Sequence, residues 1–114
     1  MGKPRSTSAA KRLEDIEAVF SALAHPSRRQ ILLVLHFRGG ELPAGDIASR
    51  FGCSWPTTTR HLGVLRAAGL IDVEQDGRQR LHRLKRDRLD EVVGEWLANF
   101  GPPPKAKRKR RRSR

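Results

Sequence analysis

The chain has 114 residues, enough for one small domain, and a formal net charge of +12, which is typical of proteins that bind a polyanion. A single cysteine excludes an intrachain disulfide and a cysteine-rich metal site. No apolar run approaches the roughly 18 residues of a membrane span. No apolar segment follows the N-terminal charges as in a signal peptide. We therefore expect a cytoplasmic protein.

The positive charge is concentrated at the C-terminal end. Residues 105–114 contain eight Lys or Arg and no acid, so the other 104 residues hold 24 − 8 = 16 basic and 12 acidic side chains, a net charge of +4. We predict a proline spacer and a disordered basic tail over 101–114. Contacts of the tail with phosphates would add salt-dependent affinity without sequence information, and a role in solubility is the alternative.

Four helices are expected before the sequence period changes. Residues 1–10 are small and polar and predict a disordered arm, so the folded domain is expected over 11–100. Apolar residues at spacings of three and four predict the first helix, Pro26 suits the first turn of the second, and Ser54 caps the fourth. The predicted helices span residues 11–24, 26–39, 47–51 and 55–68.

A hairpin and one more helix complete the domain. The period changes to two over 70–74 and 79–84, on either side of Asp76-Gly77, a pair that indicates a tight hairpin turn. A last helix is predicted over 87–100. The order α-α-α-α-β-β-α describes a mainly helical domain with a small β-hairpin, which is the pattern of a winged helix-turn-helix.

The fourth helix contains the side chains best suited to contact a DNA groove. The positions expected to face the core, at i, i+4 and i+7, are Thr58, Leu62 and Leu65. Another face is expected to carry Thr57, Arg60, His61 and Val64. Arg60 can donate two hydrogen bonds to a guanine edge, a contact worth about 1–3 kcal/mol of discrimination. An ordinary amphipathic surface helix is the alternative.

The hairpin adds two arginines close to its turn. Arg78 and Arg80 are expected on one face of a strand, where both guanidinium groups can reach phosphates or a minor groove. Arginine is also a common solubilising residue, and Glu74 and Asp76 partly neutralise the tip.

The first and last helices carry more apolar surface than so small a domain can easily bury. Val19 and Phe20 on the first helix, and Trp96 and Phe100 on the last, suit a twofold interface. A symmetric dimer would present two recognition helices to a palindromic site. The alternative is that these side chains complete the core of one protomer.

Two segments resemble the arsenic-repressor-type (ArsR) winged helix family. Residues 22–32, ALAHPSRRQIL, resemble the opening motif of that family, and residues 54–71, SWPTTTRHLGVLRAAGLI, resemble its recognition helix and the exit into the wing. The likeness covers about residues 12–100. It implies a dimeric transcriptional repressor that dimerises through its first and last helices. The positions that match the DNA contacts of the family are Ser54, Trp55, Thr57, Thr59, Arg60 and His61, with Arg78 and Arg80 of the wing in support.

The chain departs from this family at several positions. Trp55 stands where the family often has glutamine, Thr58 replaces a usual apolar anchor, and His25 stands where an aspartate cap is common. The third helix lacks the Cys-x-Cys pair, and the last helix lacks the histidines, that metal-sensing members use. Cys53 stands alone and is expected to be a packing residue. We therefore predict no metal, no cofactor and a member that does not sense metals.

These observations favour a sequence-specific regulator of transcription that binds double-stranded DNA at a palindromic operator, with the nucleoid as its location. By analogy with members that have no evident inducer site, it would repress its own operon. A nonspecific architectural protein driven by the basic tail is the alternative, and a winged helix that contacts an acidic protein is another. No catalytic motif is present, so an enzyme is not expected.

Overall fold

A computed structural model describes residues 8–52 and 54–102, and within these ranges the chain forms five helices and three short strands. The elements are α1 (Ser8–Leu23), α2 (Pro26–Phe37), β1 (Glu41–Pro43), α3 (Ala44–Phe51), α4 (Trp55–Ala67), β2 (Ile71–Asp76), β3 (Gln79–Leu84) and α5 (Arg86–Ala98). The predicted winged helix-turn-helix class is confirmed. Cys53 and most of the predicted arm and tail lie outside the described residues. None of the described helices is long and apolar enough to cross a membrane.

The largest difference from the sequence prediction is an additional strand. β1 pairs antiparallel with β3, so the sheet has the order β1-β3-β2 and the hairpin is not isolated. A strand of three residues is too short to show a period of two, and its pairing partner lies about forty residues further along the chain. Helix α1 begins at Ser8, so residues 8–10 of the predicted arm are helical.

The core lies where one stripe of each helix meets the inner face of the sheet. Its buried apolar residues are Val19, Ala22, Ile31, Leu32, Leu35, Leu42, Ile47, Leu62, Leu65, Ala68, Leu70, Ile71 and Val92. Burial of one such large side chain contributes about 1.5–3 kcal/mol. Because α4 contributes two leucines to this core, the orientation of the helix relative to the rest of the domain is set by packing.

Two arginines of α2 close the C-terminal end of α1. Arg28 Nε donates to the carbonyl of Ala22 at 2.8 Å and Arg28 Nη2 to that of Ser21 at 3.3 Å, while Arg29 Nη1 donates to the carbonyl of Leu23 at 2.8 Å. The last carbonyls of a helix have no partner within the helix, so these bonds satisfy groups that would otherwise need water. Arg28 and Arg29 thus use their charges to stabilise the fold.

Short capping motifs set the ends of α2 and α3. His25 Nδ1 accepts a hydrogen bond from the Ser27 amide at 3.1 Å, so this histidine serves as the N-cap of α2. Helix α3 ends at Gly52, whose φ of +61° is a left-handed conformation that glycine adopts without strain. The chain then turns directly into α4, which completes the helix-turn-helix.

The wing consists of β2, β3 and the loop between them. Asp76 pairs with Gln79, so β2 runs two residues further than predicted and the loop is Gly77-Arg78. Gly77, with a φ of +62°, occupies the first loop position, where a type II′ turn places glycine. On the outer face of the sheet, Arg83 forms ion pairs with Glu41 of β1 and Glu74 of β2. These pairs link all three strands.

Candidate nucleic-acid interface

The N-terminal end of α4 is capped as the sequence predicts. Ser54 Oγ accepts a hydrogen bond from the Thr57 amide at 3.2 Å and donates to Thr57 Oγ1 at 2.9 Å. Pro56 lies in the first turn, where its missing N–H leaves no bond unmade. Thr57 is therefore part of the cap. Trp55, which is 55% exposed, lies at the N-terminal end of the helix.

The buried side of α4 is wider than predicted. Thr58, Leu62 and Leu65 face the core, as expected. His61 is only 7% exposed, so the prediction that it lies on the exposed side is wrong. Positions 58, 61, 62 and 65 follow the i, i+3, i+4, i+7 pattern of one helical stripe, and His61 occupies the i+3 position that the prediction left out. Val64 is also partly buried and packs against the core.

His61 lies on the buried side of α4, close to positively charged side chains. Arg28 Nη1 is 3.4 Å from His61 Nδ1, and the ring centroids of His25 and His61 are 4.5 Å apart. A guanidinium can only donate, so Nδ1 accepts and the ring is neutral with its proton on Nε2. Burial lowers the pKa of His61 below its usual 6.5, and the nearby charges of His25, Arg28 and Arg60 lower it further.

The exposed side of α4 faces outward and toward the wing. Its exposed residues are Trp55, Pro56, Thr59, Arg60, Gly63, Arg66 and Ala67. Thr59 and Arg60 therefore have the exposure that the sequence analysis expected. Arg66 was not predicted as a contact. It lies seven positions after Thr59 and eleven after Trp55, so the helical period places it on the same stripe and could have indicated it.

A cleft of about 640 Å³ separates α4 from the wing and extends to the start of α3. We call it the α4–wing cleft. Its α4 wall includes Trp55, Thr59, Gly63 and Arg66, its wing wall includes Arg78, Gln79 and Arg80, and Val73 and His82 lie between them. Arg78 belongs to the loop and not to the strand, so the predicted shared strand face is wrong, although both wing arginines line the cleft.

The arginines of this face have no carboxylate partner. In the part of the chain that the structure describes, no acidic group lies within 4.0 Å of Arg60, Arg66, Arg78 or Arg80, whereas Arg83, Lys85 and Arg88 are all paired. Cations that are gathered on one face without an ion-pair partner among the described residues attract an anion.

A second exposed surface lies on α1 and α5. Its exposed apolar residues are Leu13, Trp96, Leu97 and Phe100. The Trp96 ring packs edge to face against both Phe20, at 5.2 Å between centroids, and Phe100, at 5.0 Å. Val19 is fully buried inside the protomer, so its predicted place in a twofold interface is wrong. Val19 lies on the stripe of α1 that faces the core.

Comparisons with known proteins agree with this geometry. A family model described as a helix-turn-helix domain matches residues 23–74. The transcriptional repressor SdpR of Bacillus subtilis is 37% identical over 72% of this chain and 88% of its own length. The biofilm growth-associated repressor of Agrobacterium fabrum is 30% identical over 82% of this chain and 78% of its own length.

Solved structures show the same relationship. An ArsR-like transcriptional regulator from Rhodococcus has a TM-score of 0.68 at 28% identity and is matched over 87% of both chains. A homodimeric winged helix-turn-helix DNA-binding domain from Mycobacterium bovis, described as a possible ArsR-family regulator, has a TM-score of 0.66 at 26% identity, with 90% of this chain and 94% of that one covered.

The chain belongs to the ArsR-type family of winged helix-turn-helix, DNA-binding transcriptional regulators. In this ArsR-type chain, α4 is the second helix of the helix-turn-helix and the β2–β3 hairpin is the wing. The prediction that it senses no metal stays a prediction. Among residues 8–52 and 54–102, no group of three or more His, Cys, Asp or Glu side chains is arranged to hold a metal ion.

Proposed function

We propose that the protein is a homodimeric repressor of transcription that recognises a palindromic operator in double-stranded DNA, including one upstream of its own gene. The observation that carries this proposal is the exposed side of α4, where Thr59 and Arg60 stand unpaired on a helix that is capped at Ser54 and packed onto the core. A rigid, outward-facing helix with a free guanidinium suits the major groove.

Base recognition is assigned to Arg60 and Thr59. Arg60 can donate two parallel hydrogen bonds to guanine, and the Thr59 methyl group can contact a thymine methyl group. Thr57 and Ser54 are linked to each other by the cap, so their hydroxyl groups are more suited to a phosphate than to a base. His61 is withdrawn from the interface because it is buried. The Arg78 side chain at the wing tip suits the neighbouring minor groove.

Dimerisation is assigned to α1 and α5. The exposed aromatic cluster of Trp96 and Phe100, continued by Leu13 and Leu97, is an apolar surface that a second copy would cover. The homodimeric state of the related domain from Mycobacterium bovis supports this assignment. Two copies of α4 would then read half-sites about one helical turn, roughly 34 Å, apart. The two similar proteins from Agrobacterium fabrum and Bacillus subtilis are repressors, which supports repression by this protein.

A selection from a pool of randomised duplex DNA tests the proposal. We expect the full chain to enrich a palindrome, and its binding to that palindrome to survive a large excess of random DNA. Arg60→Ala should reduce discrimination at one base pair of each half-site by about 1–3 kcal/mol while general DNA affinity persists. The matched control is Arg86→Ala, which removes the same charge at the start of α5, away from α4. Enrichment of no sequence at all would refute the proposal.

The eight cations of residues 105–114 favour a second candidate, a nonspecific architectural protein. Removal of residues 105–114 separates the two. For a sequence-specific repressor, the deletion should lower affinity and flatten its dependence on salt but leave the enriched sequence unchanged. For an architectural protein, the deletion should abolish binding, and random DNA should compete as well as any selected site. Footprinting upstream of the protein's own gene tests autoregulation.

A further inference from the structure

We propose that the α4–wing cleft is a binding site for the phosphodiester backbone of one DNA strand, held between Arg66 on one wall and Arg80 on the other. The proposal rests on the proposed function. If α4 occupies a major groove and the wing tip the adjacent minor groove, the strand that separates the two grooves must pass between α4 and the wing. The cleft is the space between these two elements.

The charges of the cleft suit a polyanion. Arg66 and Arg80 line opposite walls, and neither has an acidic partner among the described residues. A guanidinium group presents a planar fork of donors that matches two phosphate oxygens, so a phosphate between the walls can be bound from both sides. Arg83 lies three residues after Arg80 on β3, on the opposite face of the sheet. It is paired there with Glu41 and Glu74 and is not available to the cleft.

Gly63 provides an independent observation. It lies inside α4, on the cleft wall, with an ordinary helical backbone, and a Cβ atom added there would meet no atom within 4 Å. Glycine is among the poorest helix formers, so a glycine at this position weakens α4 without relieving any contact in the protomer. A backbone that must approach the helix closely accounts for it, because glycine is used where a partner comes against the main chain.

Asp46 gives the proposal a test with the opposite sign. It lies in the first turn of α3 and is the one carboxylate among the described residues that line the cleft. A negative charge at this rim repels a phosphate. Neutralising it should therefore raise DNA affinity, whereas removal of Arg66 should lower it. A surface that merely keeps the protein in solution would not show this pair of effects.

The first experiment measures DNA affinity of the full chain against salt concentration on the selected palindrome. Arg66→Ala should lower the slope of log affinity against log salt by about 0.9 per protomer and weaken binding equally to every sequence, and Arg86→Ala, with the same loss of charge, should not. Gly63→Ala should raise the melting temperature by about 4 °C and yet weaken binding. Asp46→Asn should strengthen binding.

The second experiment locates the contact on the DNA. Single phosphates of the palindrome are replaced by neutral methylphosphonates, one position at a time. For the wild type, we expect one or two sensitive positions per half-site, on the strand between the groove bound by α4 and the groove bound by the wing. The same replacements should have a smaller effect on Arg66→Ala, which has lost one of the two guanidinium groups, and no further effect on the Arg66→Ala/Arg80→Ala double variant.

The outcomes separate this inference from the proposed function. If the wild type enriches no palindrome, the proposed function fails, and the inference fails with it. If the palindrome is enriched but Arg66→Ala behaves like Arg86→Ala, and Gly63→Ala binds DNA as the wild type does, the inference alone is overturned. Competition of inorganic pyrophosphate with DNA at constant ionic strength, lost in Arg66→Ala while the methylphosphonate pattern is flat, would assign the cleft to a free anion and also overturn it.

Discussion

Two faces of the domain lack partners among the described residues of one protomer, and they lack different ones. The face formed by α4 and the wing carries arginines with no carboxylate beside them, while the face formed by α1 and α5 carries aromatic rings with no apolar cover. Free cations require an anion, and exposed rings require another apolar surface. The comparison teaches that the chemistry left unsatisfied on each face indicates its partner: DNA for the first and a second copy of the chain for the second.

The arginines of the domain make the same point on a smaller scale. Arg28 uses its guanidinium on two carbonyls of α1 and on the His61 ring, and Arg29 uses its own on the last carbonyl of that helix. Arg60, on the opposite side of α4, has no such bonds among the described residues. Residues of the same type thus serve the fold at one position and remain free for a ligand at another.

The largest expected effect comes from the apolar face. Leu97→Glu places a charge on a residue that is 54% exposed, so the protomer should still fold, but a twofold interface would bring two carboxylates together. We expect a monomer in sedimentation experiments and a loss of affinity for the palindrome of about 10²–10⁴-fold, because the two half-sites are no longer bound by one molecule.

Leu33→Glu is the matched control for this prediction. Leu33 is 50% exposed on α2, outside the surface of α1 and α5, and carries the same side chain. The control should remain dimeric and bind DNA normally. If Leu97→Glu also remained dimeric, the assignment of the α1–α5 face would be wrong.

The next effect separates structural arginines from free ones. Arg28→Ala should lower the free energy of unfolding by about 2–3 kcal/mol, because it removes two charge-assisted hydrogen bonds and leaves the partly buried Ala22 carbonyl without a partner. Arg60→Ala should change it by no more than about 0.5 kcal/mol. Urea unfolding of both variants measures the difference. Equal effects on stability would contradict the division of the arginines into two groups.

A smaller effect is expected from acid. The pKa of His61 is lowered in the folded protein, and burial also lowers the pKa of His82. The unfolded chain therefore takes up protons first as the pH falls below about 6.5, and the free energy of unfolding should decrease from that pH down to the lowered pKa values. Well above pH 6.5 both rings are neutral in both states, and this contribution is constant.

Urea unfolding between pH 7.5 and 5 measures this dependence. His61→Gln removes one titrating ring from the buried side of α4 and should make the free energy of unfolding less dependent on pH. His36→Gln, at an exposed position of α2, serves as the control. A stability that rose as the pH fell from 7 to 5.5 would show that the charged form of His61 is favoured by the fold, contrary to its position between Arg28 and His25.

The smallest effect is expected from metal ions. Zinc or arsenite added to the protein should leave its affinity for the palindrome unchanged, since the chain has one cysteine and its last helix has no histidine. Fluorescence anisotropy of labelled DNA, with and without each ion, measures this. Release of DNA at micromolar zinc would overturn the prediction, and a Cys53→Ser variant would then show whether the thiol is responsible.

The sequence by itself determined the elements whose signals are local. The stripes of the helices, the Ser54 cap, the glycine stop at Gly52 and the hairpin turn all depend on residues within one or two turns of each other, so the order of the helices and the winged architecture could be predicted. The exposed position of Arg60 followed from the same periodicity.

Only the tertiary structure decided the features that depend on distant partners. β1 exists because β3 lies beside it, and His61 is buried because Arg28 of α2 and His25, the N-cap of α2, pack against it. Val19 packs into the protomer and not onto its exterior. The α4–wing cleft is lined by residues that are distant in the sequence. The position of Arg66 opposite the wing therefore depends on how the wing packs against α4. Local periodicity indicates which side of a helix is apolar, but the width of the buried stripe is set by what packs against it.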